Sequence, residues 1–153
     1  VETAALLGGD SANTIDASAF TLGDVILNGA GGNDLLIGSA SNDIILGGAG
    51  HDVLRGLSGN DDLFGGFGND DLTGGVGDDD LFGGFGSDIY RFNQVFDIGS
   101  DTLFEPTGWG AYDQIFGLGL AGIDIDLHDV ALQTIGNVQI TLTGAPSEIE
   151  AAF

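Results

Sequence analysis

Between residues 29 and 91 the large apolar side chains recur neither at the helical period of 3.6 nor at the strand period of two, but once every nine residues. In register, the segment reads GAGGNDLLI, GSASNDIIL, GGAGHDVLR, GLSGNDDLF, GGFGNDDLT, GGVGDDDLF and GGFGSDIYR. The eighth position is always large and apolar (Leu36, Ile45, Leu54, Leu63, Leu72, Leu81, Tyr90), and the sixth is always aspartate. Glycines at the first, second and fourth positions predict a turn over the first six residues of each unit. The last three residues predict a very short strand whose middle side chain points to one face while its neighbours point to the other. One unit cannot bury its single apolar side chain, so the units must stack.

Two units make one 18-residue coil with two strands, and successive coils stack about 4.8 Å apart as two parallel sheets. The expected fold is all-β: a right-handed parallel β-roll, a two-sheet solenoid whose interior is filled by the eighth-position side chains, closed by a C-terminal β cap. Residues 1–28 are expected to form a degenerate N-terminal repeat or cap, with Gly9 to Asp16 as a decayed unit lacking the sixth-position aspartate. Residues 29–91 form the roll, and residues 92–153 a capping β segment over its open edge. Within that segment Val130 to Thr143 alternates around Gly136-Asn137, which predicts a β-hairpin.

Stacking decides where the carboxylates go. Asp34, Asp52, Asp70 and Asp88 form one file, and Asp43, Asp61 and Asp79 the other. Like charges at strand spacing repel strongly unless a cation lies between them. An all-oxygen cage of carboxylates and turn carbonyls suits calcium, with six to eight ligands. The carbonyls expected to contribute are those of the first and third turn positions: Gly47, Ala49, Gly56, Ser58, Gly65, Phe67, Gly74, Val76, Gly83 and Phe85. The two files leave about five internal gaps for Ca2+. Zinc and iron fit poorly, because there is no cysteine and His51 and His128 stand alone.

Composition sharpens the same idea. The 153 residues carry 24 acidic side chains against two basic ones, a formal charge of −22. That excludes nucleic acid and anionic membranes as partners, and no run of 18 apolar residues exists to insert into a membrane. Yet 42% of residues are apolar and the mean hydropathy is +0.24. A disordered acidic chain is not built that way. The conflict is removed if cations neutralise the aspartates.

The units resemble the calcium-binding nonapeptide of the RTX (repeats-in-toxin) family, GGxGxDxUx with U large and apolar, which GGAGHDVLR, GGFGNDDLT and GGVGDDDLF match at every defined position. Ala30, Ser39, Ser41 and Leu57 depart from the pattern by replacing glycines, so their turns are expected to be weaker or distorted. The resemblance implies a parallel β-roll with calcium between turns of adjacent coils, unfolded export by a type I system, and folding outside the cell. Tyr90-Arg91-Phe92 through Asp101-Thr102-Leu103, and Tyr112-Asp113-Gln114-Ile115-Phe116, resemble the segment that follows and caps such rolls. The ending Glu150-Ala151-Ala152-Phe153 resembles those of some type I exported proteins, and the start lacks a basic signal-peptide region, as expected of a mature fragment or a chain exported by another route.

Other chemistry fails on inspection. An EF-hand starting at Asp78 would place Ile89 where a bidentate acid is needed. Gly117 to Gly122 satisfies GxGxxG, but no βαβ unit follows. The group Asp124, Asp126, His128 and Asp129 reads as a polar loop, and no set of nucleophile, base and orienting residue is visible. Outward-facing Leu35, Ile37, Ile44, Leu46 and Val53 make the early coils apolar, whereas Asp62, Asp71 and Asp80 make the later ones acidic. The apolar face is either a partner surface or is covered by residues 1–28. Leu46, Phe64 and Phe82, and separately Phe67 and Phe85, lie 18 apart and predict stacking ladders.

The resulting expectation is a non-catalytic calcium-binding RTX module of a secreted bacterial protein, extracellular or at the cell surface. It would fold on binding extracellular Ca2+ and support type I export, stability and spacing. Its partners are calcium ions and either further copies of itself or neighbouring domains of a larger polypeptide. The alternative is a structural subunit of a calcium-dependent adhesin, extracellular matrix or filament, self-associating through the apolar early face or the roll ends.

Overall fold

The computed structural model describes residues 2–93, 99–104, 113–118 and 139–142. One sheet contains, in spatial order, β1 (Ala4–Gly9), β3 (Val25–Gly31), β5 (Ile44–Ala49), β7 (Asp62–Phe67), β9 (Asp80–Phe85) and β11 (Thr102–Phe104). The other contains β2 (Thr14–Asp16), β4 (Leu35–Ile37), β6 (Val53–Ser58), β8 (Asp71–Val76), β10 (Ile89–Asn93), β12 (Gln114–Leu118) and β13 (Gln139–Leu142). From β1 to β12 consecutive strands alternate between sheets, β13 adds beside β12, and every described pairing is parallel, which makes the fold a β-solenoid with 18 residues per coil through the repeats. Among the described residues there is no helix, and none long and apolar enough to cross a membrane.

The registers put the eighth-position side chains in two interior columns. Leu27, Ile45, Leu63, Leu81 and Leu103 align on one sheet. Ile15, Leu36, Leu54, Leu72, Tyr90 and Ile115 align on the other. From Leu27 to Tyr90 these side chains are at most 1% exposed, so one apolar residue in nine suffices to build a continuous core. Burying each such side chain contributes about 2 kcal/mol. Tyr90 fits because its hydroxyl accepts the N–H of Gly83 at 2.7 Å, which satisfies its polar tip.

Strands β5 to β9 are six residues long rather than the three expected, running from position seven of one unit to position three of the next. The reason is the first-position glycine. It faces inward beneath the sixth-position carboxylate of its own unit, where any Cβ would overlap that carboxylate, so the chain stays extended past it. Only positions four to six turn. At position four Gly32, Gly50, Gly59, Gly68, Gly77 and Gly86 have φ between 99° and 142°. A side chain there would also strike the backbone of the preceding coil, so both conformation and packing demand glycine.

Residues 4–16 continue the roll rather than folding back over its outer face, which overturns the covering alternative: β1 extends one sheet beside β3 and β2 extends the other beside β4. Ile44 remains 38% exposed. The register of this first coil starts one residue earlier than Gly9, with Gly8 as first position, Asn13 as sixth and Ile15 as eighth. The first arm of the expected hairpin, 130–135, and its turn at Gly136-Asn137 lie outside the described residues. Gln139–Leu142 within its second arm pairs in parallel with β12.

Candidate metal centre

The sixth-position aspartates stand in two files, as their spacing requires. Asp34, Asp43, Asp52, Asp61, Asp70, Asp79 and Asp88 are each at most 2% exposed. Each sends one carboxylate oxygen to the backbone of the coil before it. In the first file the N–H groups of Asn13, Asp34, Asp52 and Asp70 donate to Oδ1 of Asp34, Asp52, Asp70 and Asp88 at 2.6 to 2.8 Å. In the second, those of Val25, Asp43 and Asp61 donate to Oδ1 of Asp43, Asp61 and Asp79 at 2.8 to 2.9 Å. The ladder explains why a short side chain is used here. Aspartate can reach an amide one coil away while the turn stays tight.

The other oxygen has no such use. Oδ2 of Asp34, Asp52, Asp61, Asp70, Asp79 and Asp88 is buried without a hydrogen-bond partner. A buried anionic oxygen without a partner is among the most costly features a fold can carry. Beside four of these oxygens, those of Asp34, Asp52, Asp61 and Asp70, lie backbone carbonyls of the next coil. The space over first-position Gly29, Gly47, Gly56 and Gly65 is flanked by Oδ2 of Asp34, Asp52, Asp61 and Asp70 and by the carbonyls of Gly47, Gly65, Gly74 and Gly83. Over Gly38, Asp43 Oδ2 meets the Gly56 carbonyl in the same way. Five of the expected carbonyl donors therefore face carboxylates. The third-position carbonyls of Ala49, Phe67, Val76 and Phe85 instead accept fourth-position N–H groups of the preceding coil at 2.7 to 2.8 Å, which leaves each a single lone pair.

The electrostatics follow from this burial. Desolvation pushes the Asp61 carboxyl up to about 8, Asp70 and Asp79 to about 7 and Asp88 to about 6. The donated N–H lowers each in part, and the negative charge of file neighbours raises it further. The Asp52 carboxyl is raised for the same leading reason. Such carboxylates are poised to take a proton or a cation. Among the described residues no three acidic or imidazole side chains converge on one point, so a cation here would be held by carboxylates of adjacent coils together with carbonyls. An all-oxygen, partly anionic cradle lacking partners fits calcium.

Position five carries a second ladder, built mostly of neutral side chains. The N–H of His51, Asn60, Asp78 and Ser87 donates to Oδ1 of Asn33, Asn42, Asn60 and Asn69. His51 substitutes for asparagine by accepting the Asn69 N–H on Nδ1 at 2.7 Å, so it is a stacking residue. At the outer surface Asp71 pairs with Arg91 at 2.6 Å, and the guanidinium lies 5.6 Å from the centre of the Phe116 ring. Asp62 and Asp80 pair in register beside Ile44 and Thr102 and take no part in the files.

Sequence reasoning missed residues at both ends. Asp79 N–H donates to Asp101 Oδ1 at 3.0 Å and Asp88 N–H to Asp113 Oδ1 at 2.8 Å, so both files continue downstream. Upstream, they begin with Asn13 and Val25. The surviving signal was the triplet of aspartate, any residue and a large apolar residue: Asp101-Thr102-Leu103 and Asp113-Gln114-Ile115.

Fold and site define a class: a parallel β-roll whose turns present stacked, buried carboxylates. Residues 23–54 and 55–90 match the family model of the RTX calcium-binding nonapeptide repeat, in four copies. That stretch of the chain is an array of RTX repeats, and RTX nonapeptide repeats bind Ca2+. A search of curated proteins found no match to the chain.

Proposed function

We propose that this calcium-binding repeat module is a non-catalytic, secreted element that folds when it meets extracellular calcium. The observation that carries the reading is the set of six buried, partnerless Oδ2 atoms, which leaves the roll electrostatically incomplete without cations. In this reading calcium lies between successive members of the files Asp34, Asp52, Asp70, Asp88 and Asp43, Asp61, Asp79. Carbonyls of Gly47, Gly56, Gly65, Gly74 and Gly83 supply neutral oxygens. A site with a Kd of about 10⁻⁴ M contributes roughly 1.8 kcal/mol at about 2 mM calcium and almost nothing at cytosolic levels. Summed over several sites, that difference separates a disordered chain inside the cell from a rigid roll outside it.

Proteins with RTX repeats are typically secreted, and a chain held unfolded by its own charge until export suits a type I route. Far-UV circular dichroism in EDTA and then in calcium tests this reading. Calcium should convert a disordered spectrum into a β spectrum, and a β spectrum unchanged between the two would overturn it. A second reading, self-association in an adhesin, matrix or filament, is favoured by the upstream end of the roll. There edge strand β1 exposes Leu6 and Leu7, the latter by 76%. Calcium-dependent light scattering would support it.

A further inference from the structure

The carboxylate files do not stop where the nonapeptide pattern stops. The last matched residue is 90, yet both carboxylate files and both core columns are carried on beyond it by residues with no nine-residue spacing. Gly99, Ser100 and Asp101 occupy the fourth, fifth and sixth positions of a further turn. A Cβ on Gly99 would strike the Gly77 carbonyl, as at the other fourth positions. Ser100 N–H donates to Asp78 Oδ1 at 2.8 Å, continuing the fifth-position ladder. Asp101 is 2% exposed and accepts the Asp79 N–H, and Leu103 sits in the core beside Leu81. In the other file Asp113 accepts the Asp88 N–H and Ile115 lies beside Tyr90 in the core. The connections are 22 and 25 residues long rather than 18, which hides the register from a periodicity count.

Hydrogen bonding alone does not account for aspartate at these two positions. Asparagine would accept the same N–H, as Asn13 Oδ1 accepts the Gly9 N–H in the first coil, and the upstream ends of both files are in fact neutral, Asn13 and Val25. The downstream ends are instead anionic and face carboxylates whose Oδ2 atoms, on Asp79 and Asp88, are fully buried and without partners. Placing a second negative charge one coil from each of these orphaned oxygens is destabilising unless a cation joins them.

We propose two further calcium positions outside the repeats, one between Asp79 and Asp101 and one between Asp88 and Asp113, which clamp the segments 99–104 and 113–118 onto the last coil. The proposal rests on the reading that calcium occupies the files. Its function is directional: the upstream end closes on neutral residues, whereas the downstream flank docks only in calcium.

The test uses the full chain. Bound calcium is counted by equilibrium dialysis at saturation for the wild type, Asp70→Asn, Asp101→Asn, Asp113→Asn and the double variant Asp101→Asn/Asp113→Asn, and hydrogen exchange is followed at Leu63, Leu72, Leu103 and Ile115. Gaps with carboxylates on both sides number about seven when Asp101 and Asp113 are included and about five without them. The wild type should therefore bind more than five ions, and the double variant about two fewer. In calcium, the double variant should lose protection at Leu103 and Ile115 and keep it at Leu63 and Leu72. A double variant that binds as many ions as the wild type, with both flanks protected, would overturn the proposal. If Asp70→Asn loses calcium while neither flank variant does, the repeats alone hold it and the proposal fails while the general reading stands. A wild type that binds no calcium would overturn both. Should the variants not fold, the wild-type count decides: five or fewer ions contradicts the two added positions.

Discussion

Ser39 donates both its backbone N–H and its hydroxyl to the carboxylate of Asp43, whose Oδ1 also takes the N–H of Val25. Both oxygens of Asp43 are thereby hydrogen-bonded by protein donors, in contrast to the six file members whose Oδ2 is orphaned. The serine stands where the other early repeats have glycine, alanine or leucine, and its two donors supply part of what a cation would, so Asp43 contributes less than the other file members to the calcium dependence. Replacing Asp43 by asparagine should accordingly shift the calcium concentration at the folding midpoint less than twofold. Asp61→Asn and Asp70→Asn should each raise it severalfold. Calcium titrations followed by circular dichroism check this, and equal shifts for all three would refute the distinction.

Ala30 and Leu57 adopt φ of 72° and 84° at the second position, where the later repeats carry glycine. The left-handed conformation costs an L-residue about 1 kcal/mol, and Leu57 is 38% exposed, so little burial offsets it. Ala30→Gly and Leu57→Gly should each raise the melting temperature in saturating calcium by a few degrees. Gly68→Ala should lower it, because its Cβ would meet the Gly50 carbonyl. Thermal unfolding of the three variants reads out both signs.

Protons should partly replace calcium. The Asp61, Asp70, Asp79 and Asp88 carboxyls lie above the ordinary 3.8, at about 8, 7, 7 and 6. Their protonated forms therefore favour the folded state. That contribution is full below about pH 4 and is lost as the pH rises through 6 to 8. The calcium-free chain should show more β signal at pH 5 than at pH 8, and the calcium requirement for folding should be sharpest at pH 8. A calcium-free spectrum that gains β character with rising pH would contradict this.

Phe82 stacks between Phe64 and Phe104 with ring centres 4.5 and 4.3 Å away, whereas the Phe67–Phe85 pair stacks at 4.8 Å with Phe67 61% exposed. Truncating Phe82 removes two stacking contacts and should cost about 2 kcal/mol, against about 1 kcal/mol or less for Phe67→Ala. Chemical denaturation in saturating calcium measures the difference. The outer aromatic column thus belongs to the stability of the roll.

The repeats were legible because their physics is periodic. One inward apolar residue and one inward carboxylate per nine residues fix which side chains stack, and the two files and two core columns follow. Strand length was misjudged because glycine reads as a turn signal. At the first position it is an extended residue made small by the carboxylate above it. Asn13, Asp101 and Asp113 were missed where insertions stretch the coils to 21, 22 and 25 residues. The register there is kept by strand pairing and by interior side chains, which a count along the chain does not see. Ser39 was read as an irregularity and His51 only as an isolated histidine, because donating to Asp43 across a folded turn and accepting from Asn69 one coil away are roles that only the folded roll creates.

If calcium completes the fold, the chain changes its dimensions on binding it, which small-angle X-ray scattering at pH 8 measures. Without calcium the radius of gyration should approach that of an unfolded chain of this length, about 40 Å, and in about 2 mM calcium it should fall toward the roughly 15 Å of a compact domain. A compact radius that is the same in EDTA and in calcium would show that the roll forms without the cation.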